Sequence, residues 1–169
     1  GIRLSTRPDY ISEEIVELLL EFGVTAVELG AQSTNDEVLV ASGRGHNFSH
    51  LKNAAGLIRK SGISLGLQMM VGLPADSKER SLQTARDIVN LGADNTRIYP
   101  TLVIKGTALE RLMNQGKYLP LSLDEVVETS KEILKVFNNA GVKVLRIGLH
   151  QSDELSPEKS LAAGPYHRS

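Results

Sequence analysis

The sequence predicts an α/β fold built on a parallel sheet, and two observations carry that reading. A unit in which an amphipathic helix ends at glycine and a short apolar run follows occurs four times, and helical and apolar segments alternate along most of the chain. Strands met in that order need crossover connections, so neighbouring strands run parallel. The alternation leaves a doubly wound sheet and a barrel both open. A closed eight-stranded barrel takes about 250 residues, and the 169 present are enough for part of one, with about five βα units.

The first strand is the opening run Ile2 to Leu4, which starts abruptly and without a preceding helix. Ser12 with Glu13 and Glu14 then reads as a helix start, and Ile15, Leu18, Leu19 and Phe22 recur at helical spacing, so that helix is expected to bury one stripe. The four repeats read EFGVTAVEL around Gly23, KSGISLGLQMMVG around Gly62, NLGADNTRIYP around Gly92 and NAGVKVLRIGL around Gly141. A residue just past a helix end often takes a positive φ, which only glycine adopts without strain. Further starts are predicted as capping boxes at Thr34 with Glu37, Thr107 with Glu110 and Ser122 with Glu125. The last of these opens a helix with a buried stripe of Val126, Ile133, Leu134 and Phe137. Ile63 to Val71 and Val142 to Leu149 read as too apolar for a sheet with one wet face, which predicts strands covered on both sides. The tail from Ser152, with SPEKS and AGPYHRS, reads as loop or a short helix of low stability.

Composition removes several function classes. Lys and Arg number 19 against 20 Asp and Glu, a net charge of −1, so the broad basic footprint of a dedicated nucleic-acid domain is absent. Nucleic acid remains a possible partner that charge does not support. No run reaches the length of a membrane span, and the N-terminus resembles no signal peptide, which gives a cytoplasmic expectation with no membrane partner. With no cysteine, these residues hold no disulfide, thiolate metal site or cysteine nucleophile.

In parallel barrels the chemistry sits at the C-terminal strand ends. That rule selects Ser5, Thr6 and Arg7; Glu28, Gln32 and Ser33; Gln68, Met70 and Gly72; Tyr99, Thr101 and Lys105; and His150 with Gln151. These residues contain no nucleophile with its base. Amides, hydroxyls and a few cations suit a polar ligand with ribose-like hydroxyls and a carboxylate, so the chemistry would come from a cofactor. No metal site is expected: His46 and His50 straddle a helix start after Asn47 without a third ligand nearby, and capping and solvation are their expected roles. The segment GRGH at Gly43 lacks the Gly-Lys-Ser/Thr ending of a phosphate loop.

Four segments, STRPDYI at Ser5, VELGAQSTND at Val27, GRGH at Gly43 and MMVGLP at Met69, together resemble radical S-adenosylmethionine (SAM) enzymes. The likeness is strongest to the radical SAM domain of the Elongator catalytic subunit and looser to oxygen-independent coproporphyrinogen oxidase. It implies a partial parallel (β/α) barrel of the radical SAM type over residues 1–151, missing its N-terminal cluster-binding part, followed by a loop-rich tail, 152–169. It also implies SAM as cofactor and a [4Fe–4S] cluster held by upstream cysteines that this chain does not contain. An electron donor would serve the full-length enzyme, and the substrate is left open. By matching motif, Gln32 and Arg44 fall where SAM's ribose and methionine part are contacted, and Gln68 where a ribose-binding group stands. Val71 and Gly72 fall beside the adenine, and Tyr99 to Thr101 on its other side. Ser5 stands where relatives often have glutamate. Two alternatives remain: a cluster-less SAM- or nucleotide-binding module, and an ordinary barrel lyase or isomerase, for which Lys105 is the only lysine near a strand end.

Overall fold

The computed structural model describes residues 1–149 and 159–167. Five parallel strands form one sheet in the order β1-β2-β3-β4-β6: β1 (Ile2–Thr6), β2 (Val24–Gln32), β3 (Ser64–Val71), β4 (Asn95–Pro100) and β6 (Lys143–Ile147). The crossovers carry α1 (Glu13–Glu21), α2 (Asp36–Ala41), α3 (Phe48–Ser61), α4 (Lys78–Asn90), α5 (Ala108–Asn114) and α6 (Leu123–Asn139). A short β5 (Val103–Ile104) pairs antiparallel with β7 (Leu161–Ala163). The tail expected as loop or short helix thus contains a strand, because β5 offers it an open edge. His150 and Gln151 lie outside the described residues.

One apolar cluster decides between the two architectures. Val27, Leu29 and Ala31 of β2 and Leu65, Leu67 and Met69 of β3 pack with Leu51 and Ile58 of α3, Ile88 of α4, and Ile133 and Phe137 of α6. All these helices cover the same side of the sheet, whereas a doubly wound sheet would carry helices on both. The opposite side is concave and polar, as in a barrel wall.

The four glycines after helices, Gly23, Gly62, Gly92 and Gly141, all take φ between 69° and 78°. Gly62 directly caps α3 in the left-handed conformation. Ser12 caps α1 through the amide of Ile15, and Ser122 with Glu125 forms a reciprocal box at α6. Two expected boxes differ. Asn35, not Thr34, caps α2, since the Thr34 hydroxyl donates instead to Asp87 at 2.6 Å. Thr107 caps α5, but the Glu110 carboxylate accepts from Gly106 rather than from the cap residue.

Two burial expectations are also corrected. In α1 Val16 is buried and Leu19 half-buried, while Ile15, Leu18 and Phe22 of the expected stripe are exposed. The helix packs on β2 and α3 along one line through Val16, and the rest of its apolar surface faces outward. Strand β3 is buried on its helix side, while Gln68 and Met70 on its other face are half-buried; β6 is an edge strand, paired only with β4, and Ile147 is 48% exposed. In α6, Val126, Ile133 and Phe137 are buried and Leu134 half-buried, as the periodicity requires.

Candidate functional site

A cleft of about 480 Å³ opens at the C-terminal ends of β1, β2 and β3. Ser5, Gln32, Arg44 and Gln68 line it together, joined by Thr6, Arg7, Tyr10 and His46. Four of the eight residues that the motifs assign to the cofactor, Ser5, Gln32, Arg44 and Gln68, therefore meet in one place. Val71 and Gly72 line a different cavity, of about 640 Å³, between the β3–α4 turn and the start of α6. Tyr99, at the end of β4, pairs in register with Met70. The Thr101 amide donates to the Val71 carbonyl at 2.9 Å, which places Thr101 behind that strand end.

Gln32 is the most informative of these residues. It ends β2 at a register irregularity against β3, and its φ is 64°, a conformation that costs a non-glycine residue about 1 kcal/mol or more. Its amide oxygen is buried and accepts no hydrogen bond. A buried acceptor left without a donor costs about 1–3 kcal/mol. The fold therefore holds Gln32 in a strained position with an unmet acceptor, which suits an incoming hydroxyl or ammonium donor. The Thr101 hydroxyl is likewise buried without a partner.

Arg44 reaches the cleft from the α2–α3 loop. Gly43 takes φ 66° before it, and His46 after it is buried, with Nε2 at 3.1 Å from the Ala31 carbonyl. Burial lowers the His46 pKa most, against the raising effect of its bond to Ala31, so the ring serves as a neutral anchor of the loop rather than a solvated residue. His50 caps α3, its Nδ1 accepting from Asn47 at 3.1 Å. The Arg44 guanidinium meets only the Met70 sulfur, at 3.4 Å, and among the described residues no carboxylate pairs with it. Desolvation, and then the charge of Arg7, push its pKa down. Arg44 is exposed, and its guanidinium, without a carboxylate partner, lines the same cleft as the unmet Gln32 oxygen; the two fit an amino-acid-like ligand, whose carboxylate the first can bind and whose ammonium or hydroxyls the second can accept.

Below the cleft lies an ionic cluster that sequence reading captured only in part. Glu28 is 2% exposed. It accepts from the Gln68 amide at 2.7 Å, from Arg97 Nε and Nη2 at 2.9 and 3.1 Å, and pairs with Arg3 at 2.9 Å. Burial works to raise its pKa, but Gln68, Arg97 and Arg3 outweigh it and hold the carboxyl below its ordinary range. Gln68 is thereby fixed with its NH2 inward. Gly66 makes the room: a Cβ there would stand 2.8 Å from Glu28 Cγ and 2.7 Å from Asn95 Oδ1. A partial signal for the missed arginines was present, because IRL and LRI each place one arginine between apolar neighbours within a strand, and TRI places one between threonine and isoleucine.

Lys105 lies outside the cleft, its Nζ donating to the Lys159 carbonyl at 2.9 Å, which gives no support to a Schiff-base barrel. Among the described residues no group of three or more His, Asp or Glu is arranged for a metal, and no helix is long and apolar enough to cross a membrane.

The chain belongs to the radical SAM superfamily. Residues 1–88 match that superfamily, and residues 93–169 match the radical SAM C-terminal domain. Among curated relatives, it is 34% identical over 123 residues to the tRNA uridine(34) acetyltransferase of Dehalococcoides mccartyi, covering 71% of this chain and 27% of that protein. The solved structure of the archaeal Methanocaldococcus infernus Elp3, with residues 1–46 deleted, superposes with a TM-score of 0.85 at 30% identity, over 99% of this chain and 38% of that one. Coproporphyrinogen III oxidase (HemN) from Escherichia coli shares the fold, with a TM-score of 0.67 at 18% identity over 83% of this chain and 32% of its own. The chain thus spans about a quarter of the length of the first curated relatives it matches.

Proposed function

We propose that the cleft holds S-adenosylmethionine and that this chain is the cofactor-positioning part of a radical SAM enzyme acting on tRNA uridine. The observation that carries the reading is Gln32, strained at φ 64° with a buried, unmet amide oxygen, beside the carboxylate-free Arg44. Arg44 would bind the methionine carboxylate and Ser5 its amino group. Gln32 and Gln68 would take hydroxyls, and Val71, Gly72, Tyr99 and Thr101, which lie outside the cleft at the ends of β3 and β4, would border the adenine only where it extends beyond the cleft. With a reduced [4Fe–4S] cluster beside it, the bound cofactor would supply one-electron radical chemistry, and the residues named here would hold and orient it.

The 169 residues contain no cysteine, so the cluster ligands would come from outside them, as would the contact with an electron donor. What these residues do is bind, orient and exclude water. The Glu28 cluster keeps Gln68 rigid, and His46 keeps the Arg44 loop against β2. The substrate class rests on the relatives' names, since the net charge of −1 adds nothing to it. SAM titrated into the cluster-bearing polypeptide tests the reading by calorimetry. Arg44→Ala should weaken binding by about 1.5–3 kcal/mol, the scale of a charged hydrogen bond. An unchanged dissociation constant would remove Arg44 from the site, and absence of SAM binding by the unchanged protein would remove the reading.

A further inference from the structure

Among the described residues, the concave face carries more positive charge than Glu28 balances. Arg3, Glu28, Arg97 and Arg146 run across β1, β2, β4 and β6, and Glu28 is already shared by Arg3 and Arg97. Arg146 is half-buried, and among the described residues no carboxylate pairs with it. Its position is a product of backbone irregularity. Thr96 pairs with Val144, but the register then shifts, so that Arg97 stands opposite Arg146 instead of Leu145. Partnered residues on parallel strands point to the same face. Like charges directly opposite one another are destabilising, and an even register would have avoided the conflict. Bulges re-aim side chains beside functional sites.

We infer that the Arg97–Arg146 pair is an anion subsite for one phosphodiester of a single-stranded RNA substrate, placed beside the cofactor cleft. Arg97 gives its Nε–Nη2 edge to Glu28 and also hydrogen-bonds the Tyr99 side chain, with its own side chain 28% exposed. Arg146 therefore supplies the free fork and Arg97 the adjoining positive charge, and phosphate has the oxygens to accept the fork in bidentate fashion. The neighbour of Arg97 on β3 is Gln68, which lines the cleft, so a phosphate held here sets the adjoining nucleotide at the cofactor end of the barrel. A single local contact is also consistent with a chain whose net charge is −1. The subsite rests on the reading of the cleft as a SAM site, and the test separates the two.

The test is fluorescence anisotropy of a labelled, uridine-centred heptaribonucleotide with the cluster-bearing polypeptide at several salt concentrations, with SAM titrated in parallel. Arg146→Gln should weaken RNA binding about tenfold and reduce the salt slope by about 0.7, the value of one lost single-strand phosphate contact, while SAM affinity stays unchanged. Arg146→Lys should restore the slope and part of the affinity, which a merely structural role would not require. Equal affinity and slope in Arg146→Gln and the unchanged chain overturn the subsite, whatever SAM does. Arg146-dependent RNA binding without SAM binding keeps the subsite and removes the cofactor reading. Arg146-dependent binding of uridine 5′-monophosphate with no binding of the heptanucleotide overturns the RNA assignment.

Discussion

The two faces of the central strands differ in every physical respect. On the helix side, Val27, Leu29, Leu65, Leu67 and Met69 are wholly buried, and any well-packed apolar residue of similar volume would serve. On the concave side, residues one step along the same strands, Glu28, Gln68 and Arg97, form a cluster in which each partner is specific. A strand's period of two separates these populations by a single residue. The helix side supplies the stability, and the concave side holds charges that are costly to bury and uses them to fix side chains. A buried ion cluster adds little net stability over apolar packing, but breaking it is expensive.

Two substitutions sharpen that contrast. Leu67→Ala removes a fully buried side chain from the middle of the sheet and should cost about 3–5 kcal/mol in urea unfolding, with the SAM site intact in the protein that still folds. Glu28→Gln keeps the volume but leaves Arg3 and Arg97 without their counterion. It should cost about 2–3 kcal/mol at pH 7, less than a fully buried pair because both arginines are partly exposed. The acid limb provides a second readout. Glu28 is depressed in the fold, so its contribution is present above the ordinary glutamate value of 4.5 and is lost as pH falls through the lower folded value. The unchanged chain should lose stability in that window, and Glu28→Gln should lose less. Equal acid limbs would mean that the cluster is not coupled to folding.

The same period of two explains what could be read from the sequence. The helix side announces itself, since Val27-Leu29-Ala31 and Leu65-Leu67-Met69 alternate with polar or small residues and follow glycines that end helices. Ser5, Gln32 and Gln68 were legible because strand-end position and motif coincide there, and Arg44, in the α2–α3 loop, came from the motif alone; all four line the cleft. Arg3, Arg97 and Arg146 were not singled out, because each lies mid-strand and its partner is set by register, which one-dimensional pattern does not contain. Edge burial failed for a related reason. The apolar stripe of α1 and the run at β6 are both real, yet what covers a face depends on which elements are neighbours: β6 lies at an edge of the sheet, and α1 packs on β2 and α3 along one line only. Asn35 displaced Thr34 as a cap because the Thr34 hydroxyl found Asp87 across the fold.

The smallest expected effect tests the meeting point of the two faces. Gln32 ends β2, where the strand leaves regular pairing. Its left-handed backbone is a cost that the apolar side must carry, and its buried oxygen adds to that cost. Glycine at this position would accept φ 64° without strain and remove the unmet acceptor along with the side chain. Against this, Gln32→Gly raises the entropy of the unfolded chain, so the net gain should be modest, about 0.5–1 kcal/mol in thermal or urea unfolding. SAM affinity should fall in the same variant. More stability together with weaker binding is the signature of a residue held in strain for a ligand. Loss of stability with unchanged binding would mean that the amide packs for the fold alone, and the cleft would then have lost the observation on which its assignment rests.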